Sequence, residues 1–287
     1  MTPHGQFRRD PLLGSNFAFQ RLPFGEFLDC MARSGVDRIE LWGIAPHLGI
    51  AGPGPARVRA IAREMADAGV ALHCLTPEQV AYPVNIAPGD AGLRAASLAH
   101  FIKAAGIAAD LGGRCLFLTC GRGHETAPAQ EAWDRAAEAL SRIVAHAASL
   151  GLHCLLEPLQ RRESNIVRTA AELDRMIATV GHPALGAVLD VCAMAAAGDD
   201  VAAYADRFGP RQSHVHLADG TPARHLAWGD GSLPLDAIPG GLAAAGYGGT
   251  FAFAPFGDGS YALYPVAAWD RNRGGLAPWL GGERHAA

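Results

Sequence analysis

Leu150-Gly151-Leu152-His153-Cys154-Leu155-Leu156-Glu157-Pro158 decides the fold. A helix-like stretch ends on a glycine, a short run that is apolar on both faces follows, and a carboxylate and then a proline close it. Glycine is favoured just past a helix because it enters the left-handed region at little steric cost. The same junction recurs at Ser34-Gly35-Val36, Ala68-Gly69-Val70, Leu111-Gly112-Gly113, Val180-Gly181-His182, Phe208-Gly209-Pro210 and Ala245-Gly246-Tyr247. Successive junction glycines lie between 28 residues (Gly181 to Gly209) and 43 residues (Gly69 to Gly112) apart. Seven junctions imply seven strands that each follow a helix, and a first strand expected over residues 16–19 makes eight.

The intervening stretches read as helices. Trp133, Ala137, Leu140, Val144 and Ala147 form one apolar stripe, and Leu173, Met176, Ile177 and Val180 form another. Thr169-Ala170-Ala171-Glu172 reads as a capping box opening the second. Strands apolar on both faces suit a parallel sheet covered by helices. Eight βα units in 287 residues predict one closed (β/α)8 barrel of the TIM type, a single domain over 1–287 with its core over about 15–275.

Composition narrows the partners. The 24 basic and 28 acidic side chains give a net charge of −4, and Lys and Arg are scattered, which gives no electrostatic basis for binding nucleic acid or an anionic membrane. The opening Met1-Thr2-Pro3-His4-Gly5 has no basic-then-apolar pattern, and later apolar stretches are broken by Lys103, Arg142 and His146, so neither an export signal nor a membrane span is expected. Six cysteines without CxxC spacing are expected to be reduced, buried thiols in a cytoplasmic protein.

Three apolar runs end on metal-ligating residue types: Leu155-Leu156-Glu157-Pro158, Val188-Leu189-Asp190 and Val215-His216-Leu217. A fourth, Phe251-Ala252-Phe253-Ala254-Pro255-Phe256, carries Ala254 where a polar residue belongs. In a barrel the carboxyl ends of the strands hold the chemistry, so these four positions are expected to neighbour one another on one rim. Two carboxylates and an imidazole suit a divalent ion. Singly, each residue has an ordinary structural reading, because a barrel interior also accommodates a hydrogen-bonded polar layer.

Longer motifs carry a resemblance. Glu40-Leu41-Trp42-Gly43 with Pro46-His47, Leu75-Thr76-Pro77-Glu78 with Tyr82-Pro83-Val84-Asn85, Leu156-Glu157-Pro158-Leu159 with Glu163-Ser164-Asn165, Asp190-Val191-Cys192-Ala193, His214-Val215-His216 and Gly229-Asp230-Gly231 resemble the fructoselysine and ketose 3-epimerases, a group within the xylose isomerase-like TIM barrels. The likeness runs from about residue 15 to 260. It implies a metal held by Glu, Asp, His and a second Glu, with Mn²⁺ expected and Mg²⁺, Co²⁺ or Zn²⁺ as alternatives. It also implies a small sugar or sugar-amine substrate and a homodimer or homotetramer. The first and last carboxylates would double as the acid/base pair. Glu157, Asp190 and His216 match three of these ligands, and Ala254 stands at the fourth. Glu163 matches a substrate-hydroxyl contact, and Ala193 replaces a substrate-binding His of many relatives.

Epimerising a carbon beside a ketone needs a proton removed from one face and another delivered to the opposite face. Glu157 can do the first, whereas the methyl of Ala254 carries no proton. Loss of one of two acid/base groups costs on the order of 10²- to 10⁴-fold.

Further candidate substrate contacts are His225, alternatively a surface-loop histidine; Glu40, alternatively part of a polar layer; and His47, Trp42 and Tyr82, alternatively packing. Glu78 and Asn85 join them through the resemblance. Strand alternation is taken to turn His214 away from His216 into a packing role, and Cys192 is read as a core thiol. The leading expectation is a metal-dependent sugar epimerase or isomerase, impaired at Ala254. The alternatives are a metal-dependent lyase, a dehydratase or a C-glycoside-cleaving enzyme with Glu157 as sole base, or a non-catalytic binding barrel. A DNA-repair endonuclease is disfavoured, since it would need more rim histidines and a basic groove.

Overall fold

The computed structural model describes residues 7, 11–52, 54–80, 82–221 and 224–280; the opening pentapeptide read above for an export signal lies outside them. The element order is β1 (Leu12–Ser15), α1 (Phe24–Arg33), β2 (Arg38–Gly43), α2 (Pro55–Asp67), β3 (Ala71–Pro77), α3 (Ala91–Asp110), β4 (Cys115–Thr119), α4 (Ala129–Ser149), β5 (His153–Glu157), α5 (Ala170–Val180) and β6 (Leu185–Asp190). It continues with α6 (Val191–Ala197), α7 (Val201–Phe208), β7 (Gln212–Leu217), β8 (Asp219–Thr221), β9 (Arg224–Leu226), α8 (Ala237–Ala244), β10 (Thr250–Phe253) and α9 (Pro265–Leu276). Strands β1 to β7 and β10 close a parallel barrel in the order β1-β10-β7-β6-β5-β4-β3-β2, and β8 and β9 form a separate antiparallel hairpin.

All seven junction glycines have positive φ, from 48° at Gly209 to 79° at Gly151, so each marks a helix-to-strand turn as the sequence predicted. Thr169 and Glu172 form the capping box at the start of α5. The α4 stripe of Trp133, Ala137, Leu140, Val144 and Ala147 is buried, as are Leu173, Met176 and Ile177 of α5.

Strand alternation divides the apolar residues in two. Leu116, Leu118, Leu156 and Leu189 join the large core between strands and helices. Phe117, Leu155 and Val188 belong with Cys74 and Cys115 to a second cluster within the barrel. Two residues further along each strand, Thr119, Glu157 and Asp190 share that inner face. The six cysteines are free and buried, and among the described residues no helix is long and apolar enough to cross a membrane.

The first strand differs from expectation. It is Leu12–Ser15, and Phe17–Phe19 form a 3₁₀ turn. Leu12 and Leu13 pair with Phe251 and Ala252, while Gly14 and Ser15 pair with Ile39 and Glu40. A Cβ at Gly14 would overlap the Met31 side chain and press on Ile39, so the glycine lets α1 pack close against β1. The hairpin β8–β9 was not foreseen either, and it carries His225.

Candidate active site

The four strand ends converge. Glu157 closes β5, Asp190 closes β6 in register with His216 of β7, and His216 in turn pairs with Ala252, two residues before Ala254. Donor atoms of Glu157, Asp190 and His216 all lie within 4.8 Å of one another. Ala254 is 1% exposed and faces this group with a methyl.

His216 sits between two carboxylates, with Nδ1 2.7 Å from Glu157 Oε1 and Nε2 3.1 Å from Glu40 Oε2. Phe117 stacks on its ring at 4.8 Å and 23°. Burial alone would lower the imidazole's pKa, but the charges of Glu40 and Glu157 and their hydrogen bonds hold it well above the ordinary 6.5. As an imidazolium it donates to both. Burial pushes the Glu157 carboxyl up to about 7 against the opposing pull of His216. Asp190 stays below its ordinary value despite burial, because His225 and His216 stabilise the anion. Its Oδ1 also caps α6 by accepting from the Ala193 N–H at 2.6 Å.

Beneath His216 lies a polar layer. Glu40 is fully buried and accepts from Thr76 Oγ1 at 2.5 Å and from His214 Nε2 at 3.2 Å, besides its contacts with His216. His214 Nδ1 accepts from Thr250 Oγ1 at 2.8 Å. The orientation expected for His214 is corrected: the strand repeat is two, so residues 214 and 216 share a face, and their rings lie 5.0 Å apart. Both oxygens of Glu40 are engaged within this layer, which is one of the two roles its sequence left open. Together, Glu40 and His216 make a carboxylate–imidazole pair in which Nε2–H is held and Nδ1 faces Glu157.

His225 is 5% exposed, with Nε2 2.8 Å from Asp190 Oδ2, and its Nδ1 has no partner among the described residues. Its surface-loop reading is therefore corrected by the hairpin, which turns the ring inward. Asp219 fixes that hairpin: its carboxylate accepts the N–H groups of Gly220, Gly229, Gly231 and Leu233 at 2.7–3.1 Å. A Cβ at Gly231 would overlap Asp219 and the Gly220 nitrogen, which explains the Gly-Asp-Gly motif as a close approach of backbone to carboxylate. Sequence reasoning passed over Asp219. The signal was present in the Asp-Gly pair ten residues ahead of Gly229.

The remaining candidates differ in what holds them. Trp42 packs edge-on against Phe17 at 4.1 Å and Phe256 at 5.5 Å, and Phe256 meets His225 at 5.0 Å, giving one aromatic wall. His47 is 2% exposed, with Nδ1 2.9 Å from Asn16 Nδ2 and Nε2 donating to the Leu22 carbonyl at 2.8 Å, so both ring nitrogens are held inside the protein. Glu78 accepts from the Ile50 N–H at 3.1 Å, and its pKa is raised by burial. The Asn85 side chain bridges to the Ala87 N–H and to the backbone of Arg122. Glu163 accepts from the Gln160 N–H at 3.2 Å and pairs with Arg162 at 2.9 Å. Gln160, buried with an unpartnered Nε2 among the described residues, was not foreseen. Tyr82 is 41% exposed.

A family model for the xylose isomerase-like TIM barrel matches residues 28–277. The chain belongs to this family. Fructoselysine 3-epimerase of Escherichia coli O157:H7 is 30% identical over 237 residues, 80% of this chain and 84% of that protein. An L-ribulose 3-epimerase structure superposes with a TM-score of 0.77 at 23% identity, covering 93% of this chain and 94% of the other. The IOLI protein, solved with a bound zinc atom, has a TM-score of 0.77 at 15% identity and covers 95% of this chain and 100% of its own. Within the family frame the donor set fits a divalent ion: two carboxylates and an imidazole, buried and mutually close, with the far nitrogen of the imidazole held by Glu40.

Proposed function

We propose that this chain is a divalent-metal-dependent sugar epimerase or isomerase whose proton-transfer base is Glu157 and whose second acid/base position is vacated by Ala254. The observation that carries this reading is the convergence of Glu157, Asp190 and His216 at one barrel mouth beside a buried methyl. The substrate class is a ketose or fructosamine, supported by the likeness to fructoselysine 3-epimerase and L-ribulose 3-epimerase. When bound, the ion polarises a substrate carbonyl and so acidifies the neighbouring C–H.

Asp190 and His216 orient the site, Asp190 through its bonds to Ala193 and His225, and His216 through Glu40. Glu157 Oε1 holds or takes a proton within 2.7 Å of His216 Nδ1, and its pKa of about 7 places it between acid and base near neutrality. Trp42, Phe17 and Phe256 form an aromatic wall that ends against the His225 ring and offers an apolar face to a sugar. Restoring the carboxylate tests this: Ala254→Glu, assayed on fructosamines and free ketoses in deuterated solvent, is expected to raise epimerisation by about 10²- to 10⁴-fold. No deuterium in any ketose would end the proposal.

A second reading follows from the same methyl. With one base and a polarising ion, Glu157 suffices for β-elimination, as in a lyase, a dehydratase or a C-glycoside-cleaving enzyme. Turnover of a 3-keto-glycoside by the native chain, abolished in Glu157→Gln, would favour it over epimerisation.

A further inference from the structure

The loop that leaves β10 just past Ala254 meets a second buried imidazole. The Gly257 N–H, three residues past Ala254, donates to the His225 carbonyl at 2.7 Å, so the hairpin carrying His225 is tied to the loop leaving β10. The His225 ring packs edge-on against Phe256 in that loop, at 5.0 Å and 67°. From there its Nε2 reaches Asp190 on β6 at 2.8 Å. The ring therefore lies between Phe256 of the β10 loop and Asp190 of β6.

We propose that His225 supplies the fourth protein ligand where this chain lacks the carboxylate at Ala254, giving a site of two carboxylates and two imidazoles that selects Zn²⁺ or Co²⁺ over Mn²⁺ and Mg²⁺. The inference rests on the metal reading of Glu157, Asp190 and His216. Asp190 is the shared member of two donor groups, one with Glu157 and His216 and one with His225 and Cys192. The two imidazole–carboxylate contacts, 2.7 Å at His216–Glu157 and 2.8 Å at His225–Asp190, are hydrogen bonds that would open to the roughly 3.0–3.4 Å separation of ligands on one ion with bonds near 2.1 Å, with Asp190 as the residue common to both groups. His225 Nδ1 has no partner among the described residues, so moving Nε2 from Asp190 to the ion breaks no other side-chain bond. Cys192 is not the ligand, because its Sγ is turned to the Asp219 carbonyl at 3.4 Å. A second imidazole shifts the donor set from one suited to Mn²⁺ and Mg²⁺ toward one suited to Zn²⁺ and Co²⁺.

The test is X-ray absorption on the Zn²⁺- or Co²⁺-loaded native chain, joined to chelator-competition affinities for His225→Gln in the native and Ala254→Glu backgrounds. Two imidazoles per ion are expected, falling to one in Ala254→Glu. His225→Gln is expected to weaken ion binding about 100-fold or more in the native background, at or above the loss of an outer partner, and less than about 10-fold beside a restored Glu. One imidazole in the native chain, or equal losses in both backgrounds, would overturn the His225 assignment alone. A folded chain that takes up no divalent ion would overturn it together with the metal reading.

Discussion

Replacing Glu40 by Gln tests whether the polar layer supports the proposed metal site. The carboxylate is fully buried and accepts from His214, His216 and Thr76. Gln keeps the volume but removes the charge and turns an NH₂ toward ring N–H donors. Breaking a buried charge pair by changing one partner costs about 3–5 kcal/mol. In a chain of 287 residues, at about 2 °C per kcal/mol, that is a fall in Tm of about 6–10 °C. Because Glu40 fixes Nε2–H of His216 and leaves Nδ1 for the ion, ion affinity is expected to fall 10- to 100-fold as well. Burial opposes the Glu40 anion, but His216 and the hydrogen bonds hold its pKa below the ordinary 4.5. Its contribution to stability is thus present above about pH 4.5 and fades as pH falls through the folded value. The difference in Tm between parent and variant should shrink in acid. Thermal melts carried from neutral pH to well below pH 4.5, together with chelator competition, read both effects. A variant that melts early yet binds the ion within about twofold of the parent would refute the link between Glu40 and His216.

Ion uptake should release protons. His216 is held as an imidazolium and Glu157 titrates near 7, so at pH 7 about one to two protons leave per ion bound, and affinity rises with pH through that range. Calorimetry in buffers of different ionisation enthalpy measures the number, and zero release would contradict the ligand assignment. Asp219→Asn turns two of its four backbone acceptor contacts into donor–donor contacts and should cost about 2–4 kcal/mol while freeing the amides of Gly229 and Gly231 to exchange. Unchanged protection of those amides would show the hairpin is held otherwise. The six buried thiols should react with a disulfide reagent only on unfolding, so native-state modification at a comparable rate would count against the burial.

The barrel was legible because one local device, a glycine with positive φ between helix and strand, repeats seven times. The placement of Glu157, Asp190, His216 and Ala254 on one rim was legible because each lies at, or one residue from, the end of an apolar strand. The first strand, expected over residues 16–19, is Leu12–Ser15, because no helix-end glycine precedes it to mark its start. The misreading of His214 was avoidable, since period-two alternation alone puts it beside His216. The inward turn of His225 depends on Asp219 gathering three backbone amides from a loop 10 to 14 residues away, which no periodicity encodes. His47 and Asn85 look like sugar contacts in sequence, yet their polar atoms are bound within the protein.

The most direct measurement follows the fate of one hydrogen. A ketose or fructosamine incubated with the metal-loaded native chain in deuterated solvent is examined by NMR for exchange and configuration at the carbon beside the carbonyl. With Glu157 alone, deuterium should enter slowly with retention of configuration, and the inverted epimer should appear only with Ala254→Glu. Epimerisation by the native chain at the rate of Ala254→Glu would contradict the assignment of position 254 as the missing acid/base group.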